Sequence, residues 1–416
     1  MLNRLGNDHR RQRSVLAPSF SPSHIRDLYP KFLETAQVLV EKLQGIIKNS
    51  PGGNNKEIEI TPWLQPAFGV NLSALDDQQS QIALVFQDLL RELLAQRSIA
   101  TSGQPFLQYF PTFLIKYLDY LPVKGARNLA AYRRVVDAVA RDAVTSARTA
   151  MENGEEGGKE ILSQIVRECY YGGKQKLSPL EMYAQFGTFL LAGEDTTANA
   201  IGWALLELCN HQNYQKMMRD EIDATYRAVH ERSIDQLEPS DLDKMPFTQA
   251  FMKESLRYHP SLPLVPREAS IDAVFPLSKP ITLTNGKSSS ELYIPKGQGI
   301  VINIEGYNRL ESVWGKDAHV FRPERWLEGP LQGDVEPSNG VYSHLLSFGG
   351  GAHSCIGWRF ALQEMQVFLV QMIRNFHFAL PDGIRLEREL ALGSIPIIEG
   401  DPSKEQRLPL IITKVE

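Results

Sequence analysis

Residues 348–357 read Phe-Gly-Gly-Gly-Ala-His-Ser-Cys-Ile-Gly. A cysteine, Cys355, stands between a glycine-rich run and a segment from Gly357 to Phe376 whose apolar residues recur at helical spacing. That is a good position for a thiolate. Backbone N–H groups at a helix entrance have no intrahelical acceptor, and the helix dipole favours negative charge there. Glycines let the backbone approach a flat ligand closely and adopt positive φ. N–H groups aimed at the sulfur would tune a metal–thiolate bond. A lone cysteine is more often a small buried apolar side chain than a ligand. The stronger reading therefore has to come from the rest of the chain.

Upstream, helical periodicity dominates. Apolar residues recur at that spacing from Pro22 to Ile47, and again over residues 78–98, 212–231 and 246–258, the last stopping before Pro260. The clearest helix opens at Ser178-Pro-Leu-Glu181, a capping box with proline at the first helical position. The run from Leu180 to Cys209 is mostly apolar, as a helix in the middle of a protein would be. In its centre lies Ala192-Gly-Glu-Asp-Thr-Thr197. Acids and threonines suit a buried helix poorly. A threonine there can bond back to the preceding turn. Residues 264–305 alternate and carry Pro and Gly, so they read as short strands. The expected fold class is mainly α with a minor β portion late in the chain, arranged as one domain over residues 1–416.

Composition narrows the function. The 416 residues can bury a large core, and the net charge of -5, with no basic stripe interleaved with aromatics, gives no reason to expect nucleic acid. The three cysteines Cys169, Cys209 and Cys355 are too few and too widely spaced for a disulfide framework. The first residues are polar and basic with no apolar stretch behind them, so neither a signal peptide nor a membrane anchor is expected in this chain. Residues 105–122 are rich in aromatics; they read as core, or as a peripheral membrane contact.

The ten residues from Phe348 resemble the haem-binding signature of the cytochrome P-450 family, at Phe348, Gly351, His353, Cys355 and Gly357. His353 replaces the family's usual arginine, and its charge varies near neutral pH. Glu254-Ser-Leu-Arg257 resembles the family's Glu-x-x-Arg element, with Phe321 to Trp326 as its partner segment. The resemblance implies one structural network of Glu254, Arg257 and Arg325. The Ala192 to Thr197 segment resembles the oxygen-activation groove. There Gly193 would leave room for dioxygen, Thr196 would hold it with a water, and Asp195 would relay protons. His9 with Arg13, and Arg267 in Leu-Val-Pro-Arg, resemble propionate-binding elements.

Haem b (iron protoporphyrin IX) on Cys355 is the implied cofactor, with electrons from NADPH through a separate flavoprotein reductase. The implied reaction inserts one oxygen atom from O2 into a small apolar substrate, a secondary metabolite or xenobiotic. Ala192, Leu262, Leu264 and Val265 are the expected pocket residues. The resemblance implies an endoplasmic reticulum membrane location for the full-length family pattern. Set against that pattern, this chain reads as incomplete at the N-terminus, without the anchor and first strands, and with a shortened helix between Trp63 and Phe68. Two alternatives follow: a truncated haem-binding remnant without efficient catalysis, or a peroxide isomerase or dehydratase of the same fold.

Overall fold

The computed structural model describes residues 6–67 and 177–415, apart from 52, 235, 330–332, 334–339 and 391–392, with isolated positions between 134 and 169. The expected helix over 78–98 and the aromatic stretch 105–122 lie outside the described residues.

The chain opens with α1 (Gly6–Leu16), α2 (Pro22–Asp27) and α3 (Tyr29–Lys48). Strand β1 (Asn55–Glu59) and helix α4 (Thr61–Ala67) follow. Helix α4 covers the first part of the segment read as shortened; Phe68 lies outside the described residues. The long helix α5 (Pro179–Asn210) begins as its sequence dictates. Ser178 Oγ accepts from the Glu181 N–H, and the Glu181 carboxylate accepts from the Ser178 N–H in return. Helices α6 (Gln212–Glu231) and α7 (Pro246–Tyr258) match their periodic segments.

The strand-rich stretch folds into two antiparallel pairs. Strand β2 (Leu264–Glu268) pairs with β5 (Gly299–Asn303), and β3 (Ala273–Thr282) with β4 (Ser288–Ile294). Strands β6 (Gly340–Tyr342) and β7 (Leu345–Gly350) then lead into the Cys355 loop and α8 (Trp358–Asn375). Four strands end the chain: β8 (Phe376–Ala379), β9 (Leu386–Leu390), β10 (Ser394–Ile398) and β11 (Pro409–Lys414). Sequence reading did not separate these last strands, nor α1, whose polar composition hides its helical face. Strand β11 is the centre of a three-stranded sheet between β1 and β8.

The core is helical. Leu39, Leu43 and Ile47 of α3, Ile201, Leu205 and Leu208 of α5, and Phe368, Leu369 and Ile373 of α8 are all buried in one cluster. Helix α6 is amphipathic, burying Tyr214, Met218, Ile222 and Tyr226 at four-residue intervals. Its polar side chains finish other elements. Glu221 accepts from the Phe247 and Thr248 N–H groups that open α7, and Arg219 donates to the carbonyls of Ile373 and Phe376 that close α8. The α8 helix, with the Cys355 loop at its entrance, is thereby fastened at its far end as well.

Candidate functional site

The loop at the entrance of α8 is closed by its own backbone: the Cys355 N–H donates to the Phe348 carbonyl at 2.8 Å. Gly349 and Gly351 take φ of 67° and 66°. A Cβ at Gly351 would meet nothing within 4 Å, so it is the left-handed backbone, not crowding, that calls for glycine. Cys355 is exposed on one side. The protein packed around its other side pushes the thiol up by burial, while the Gly357 N–H bonded to the sulfur and the nearby Arg13 charge pull it down. A thiol in that balance gives up its proton when a metal takes the sulfur.

Helix α1 brings two more side chains to this loop. His9 and Arg13 lie four residues apart, on one helix face. Arg13 donates through Nη1 to the Ser354 carbonyl at 2.7 Å and through Nη2 to Ser354 Oγ at 3.2 Å. The His9 ring stacks on His353 with centroids 4.0 Å apart. Burial, then the His353 and Arg13 charges, hold buried His9 below the ordinary histidine range. Three basic side chains from opposite ends of the sequence so converge on one edge of the loop. Arg267 does not join them by any direct bond; it is exposed on β2 and donates to the carbonyl of Pro266.

Behind the loop, Glu254 and Arg257 of α7 are fully buried. Arg257 donates to both Glu254 oxygens, at 2.9 and 2.8 Å, and Arg325 Nε donates to Oε1 at 3.0 Å. Two further donors were not foreseen: the Arg322 N–H at 2.8 Å and Trp326 Nε1 at 3.0 Å. Both belong to the Phe321 to Trp326 segment, so the motif held the signal. Ser347 of β7 donates to the Leu256 carbonyl at 2.7 Å, tying this cluster to the strand that carries Phe348.

On α5, the Thr196 hydroxyl donates to the Ala192 carbonyl at 2.8 Å, the back-bond its sequence position suggested. Its own carbonyl accepts from Ser261 Oγ at 2.8 Å. Asp195 is half-buried, and a Cβ at Gly193 would meet nothing within 4 Å. Of the expected pocket residues, Ala192 is exposed, Leu262 and Leu264 keep 38% and 43% of their surface, and Val265 is half-buried.

A family model described as Cytochrome P450 matches residues 1–396. The chain belongs to the cytochrome P450 family. Among relatives, a cytochrome P450 monooxygenase of Postia placenta is 30% identical over 404 residues, 91% of this chain and 72% of its own length. A ganoderic acid synthetase of Ganoderma lucidum is 29% identical over 433 residues, 97% of this chain and 76% of its own length. A cytochrome P450 monooxygenase of Petromyces alliaceus is 30% identical over 387 residues, 90% of this chain and 67% of its own length. As a P450 the chain is an oxidoreductase of the monooxygenase class, and its mainly α architecture with a minor strand portion is the fold of that family.

A P450 implies haem, and the residues present fit that group. The loop offers one soft sulfur donor, open on one side and bonded by an N–H, as a thiolate-ligated haem iron requires. Arg13, His9 and His353 beside it offer positive or hydrogen-bonding groups for carboxylates. No helix among the described residues is long and apolar enough to cross a membrane.

Proposed function

We propose that this P450 inserts one oxygen atom from O2 into a small apolar organic molecule, with NADPH electrons delivered by a separate flavoprotein reductase. The observation that carries the reading is Cys355, closed into a glycine loop with its sulfur bonded by the Gly357 N–H and exposed on one side. Bound haem supplies the activation of dioxygen. The protein's part is to bind, orient and protonate.

In this reading Cys355 would hold the haem iron through its sulfur. Phe348, Gly351 and Gly357 shape the loop around it. Arg13, His9 and His353 would hold propionate carboxylates of that group, and Arg267 on β2 would be a further propionate partner. The half-buried carboxylate of Asp195 carries protons in from solvent to the Thr196 hydroxyl, which presents them on the Gly193 side of α5 where space is open. Glu254, Arg257 and Arg325 keep the loop in place and touch no reactant. Ala192, Leu262, Leu264 and Val265 offer an apolar surface to the substrate.

The named product of the Ganoderma relative makes a fungal-type secondary metabolite the first substrate class to try. A peripheral contact with the endoplasmic reticulum membrane is part of the same proposal. The test begins with the purified chain loaded with haem, reduced and treated with carbon monoxide. It should give the spectrum of a thiolate-ligated haem, and Cys355→Ala should lose it. A spectrum unchanged in that variant would sink the reading. Turnover of an organic peroxide without NADPH and reductase, and none of an apolar substrate with them, would instead make the chain an isomerase of the same fold.

A further inference from the structure

Thr196 is gripped from two directions. Its hydroxyl bonds the Ala192 carbonyl, and its carbonyl takes the hydroxyl of Ser261, each at 2.8 Å. Residues 192 and 196 are consecutive members of one α-helical ladder of carbonyls. Two successive carbonyls on that ladder therefore carry a hydroxyl in addition to any backbone donor. Extra donors of this kind tilt a carbonyl outward and lengthen the ladder bond, which bends the helix at that place.

Ser261 is not a loose surface hydroxyl. It lies three residues beyond the end of α7 at Tyr258, just after Pro260, and it is half-buried. Its carbonyl accepts from the Ser394 N–H at 2.9 Å. The Ser394 carbonyl in turn accepts from Trp203 Nε1 at 3.0 Å. The Trp203 ring stacks on His259, with centroids 4.3 Å apart and planes 8° from parallel, and His259 Nε2 meets Glu207 Oε1 at 2.6 Å. Ser394, Trp203, His259 and Glu207 are all buried. At about 100° per residue, positions 196, 203 and 207 fall within about 40° of one another around α5. The strip from His259 to Ser261 thus runs along one face of α5 and fastens it at three levels. Its approach to β10 is close: a Cβ on Gly393 would stand 2.5 Å from the Ser261 carbonyl oxygen.

We infer that Ser261 is a positioning residue, whose hydroxyl fixes the Thr196 carbonyl and thereby the place on α5 from which the Thr196 hydroxyl works. The consequence for turnover rests on the role given above to Thr196; the mechanical claim does not. Without the Ser261 hydroxyl, the uppermost tie on α5 is lost and the segment around Thr196 opens more readily. The lower levels of the splint, at Trp203 and Glu207, stay in place, so the effect is local.

The experiment compares Ser261→Ala, Ser261→Thr and Thr196→Ala with the parent in the purified, haem-loaded chain. Amide hydrogen exchange is read over residues 192–200 and, as a control, over α6. Ser261→Ala should speed exchange in 192–200 by about three- to tenfold, the equivalent of one ordinary hydrogen bond, and leave α6 unchanged. Ser261→Thr keeps a hydroxyl and should restore the parent rate. With reductase and substrate, Ser261→Ala should divert several-fold more NADPH electrons to peroxide, lowering kcat with little change in KM. Unchanged exchange in Ser261→Ala overturns the inference. So does altered exchange with parent-like peroxide yield, provided Thr196→Ala itself raises that yield. If Thr196→Ala does not raise it, the role proposed for Thr196 fails, and exchange alone decides the part of Ser261.

Discussion

Two polar clusters flank the Cys355 loop and α5, and they are built on different principles. Behind the loop, the Glu254 carboxylate accepts from Arg257 twice, from Arg325, from the Arg322 backbone and from Trp326. Arg257 has carbonyls of Asn308, Ala318 and Val320 besides. On α5, Thr196 is placed by two neutral bonds, one given and one received. A buried charge with every lone pair and proton matched is costly to disturb, because losing one partner strands the other. A neutral hydroxyl bond contributes only about 1 kcal/mol net. The first region fixes geometry whatever passes through the site. The second rests on two bonds that are each individually weak, so it is held less firmly than the first.

The sharpest way to break that contrast is to remove the charge at its centre. Glu254→Gln keeps the shape but takes the carboxylate partner from the buried Arg257 guanidinium, while Arg325 keeps Asp317 at 3.0 Å, and should cost about 3–5 kcal/mol. Soluble yield and the denaturant midpoint should both fall. A midpoint within experimental scatter of the parent would mean that the carbonyl partners of Arg257, with Asp317 and the carbonyls around Arg325, suffice without it. The contact at the edge of the loop stands between the two extremes. Arg13→Ala removes two charged bonds to Ser354 on a half-buried surface, and should cost about 1.5–3 kcal/mol at most. Its clearer signature should be faster loss of haem to an external acceptor protein. Retention equal to the parent would show that the clasp serves the fold and not the cofactor.

The first of these regions is legible in the sequence and much of the second is hidden, for a physical reason. Glu254, Arg257 and Arg325 are charges, and charges inside periodic apolar segments stand out against their neighbours. Cys355 stands out in the same way among its glycines. The capping box at Ser178 is local in sequence, so it can be read directly. Ser261, Trp203, His259 and Glu207 are ordinary residues whose meaning comes from contacts 52 to 191 positions apart. No local pattern marks such contacts. Helix α1 is hard to see because its buried face is His9, Gln12, Val15 and Leu16, half of it polar, so hydrophobic periodicity is weak. The strands β8 to β11 are masked because they are short and follow a strong helix signal.

The smallest effect concerns how α1 reaches the loop at all. Glu181 of the α5 capping box also accepts from Arg11, and from Gln12 at 3.1 Å, so the same carboxylate that starts α5 moors α1. The Arg11 guanidinium first, and the Ser178 N–H next, hold this carboxyl down at about 2. Its folded value lies below the unfolded one of about 4.3. The tie is therefore fully present above about pH 4.3 and is lost as pH falls toward about 2. Glu181→Gln should cost about 1 kcal/mol at neutral pH, the scale of a cap and a part-exposed ion pair. It should also lose less stability than the parent on acidification between about pH 4.3 and 2. Parallel pH profiles for the two chains would mean that α1 is moored by its apolar residues Val15 and Leu16. A shallower profile would mean instead that a single carboxylate, far from Cys355 in sequence, keeps Arg13 within reach of Ser354.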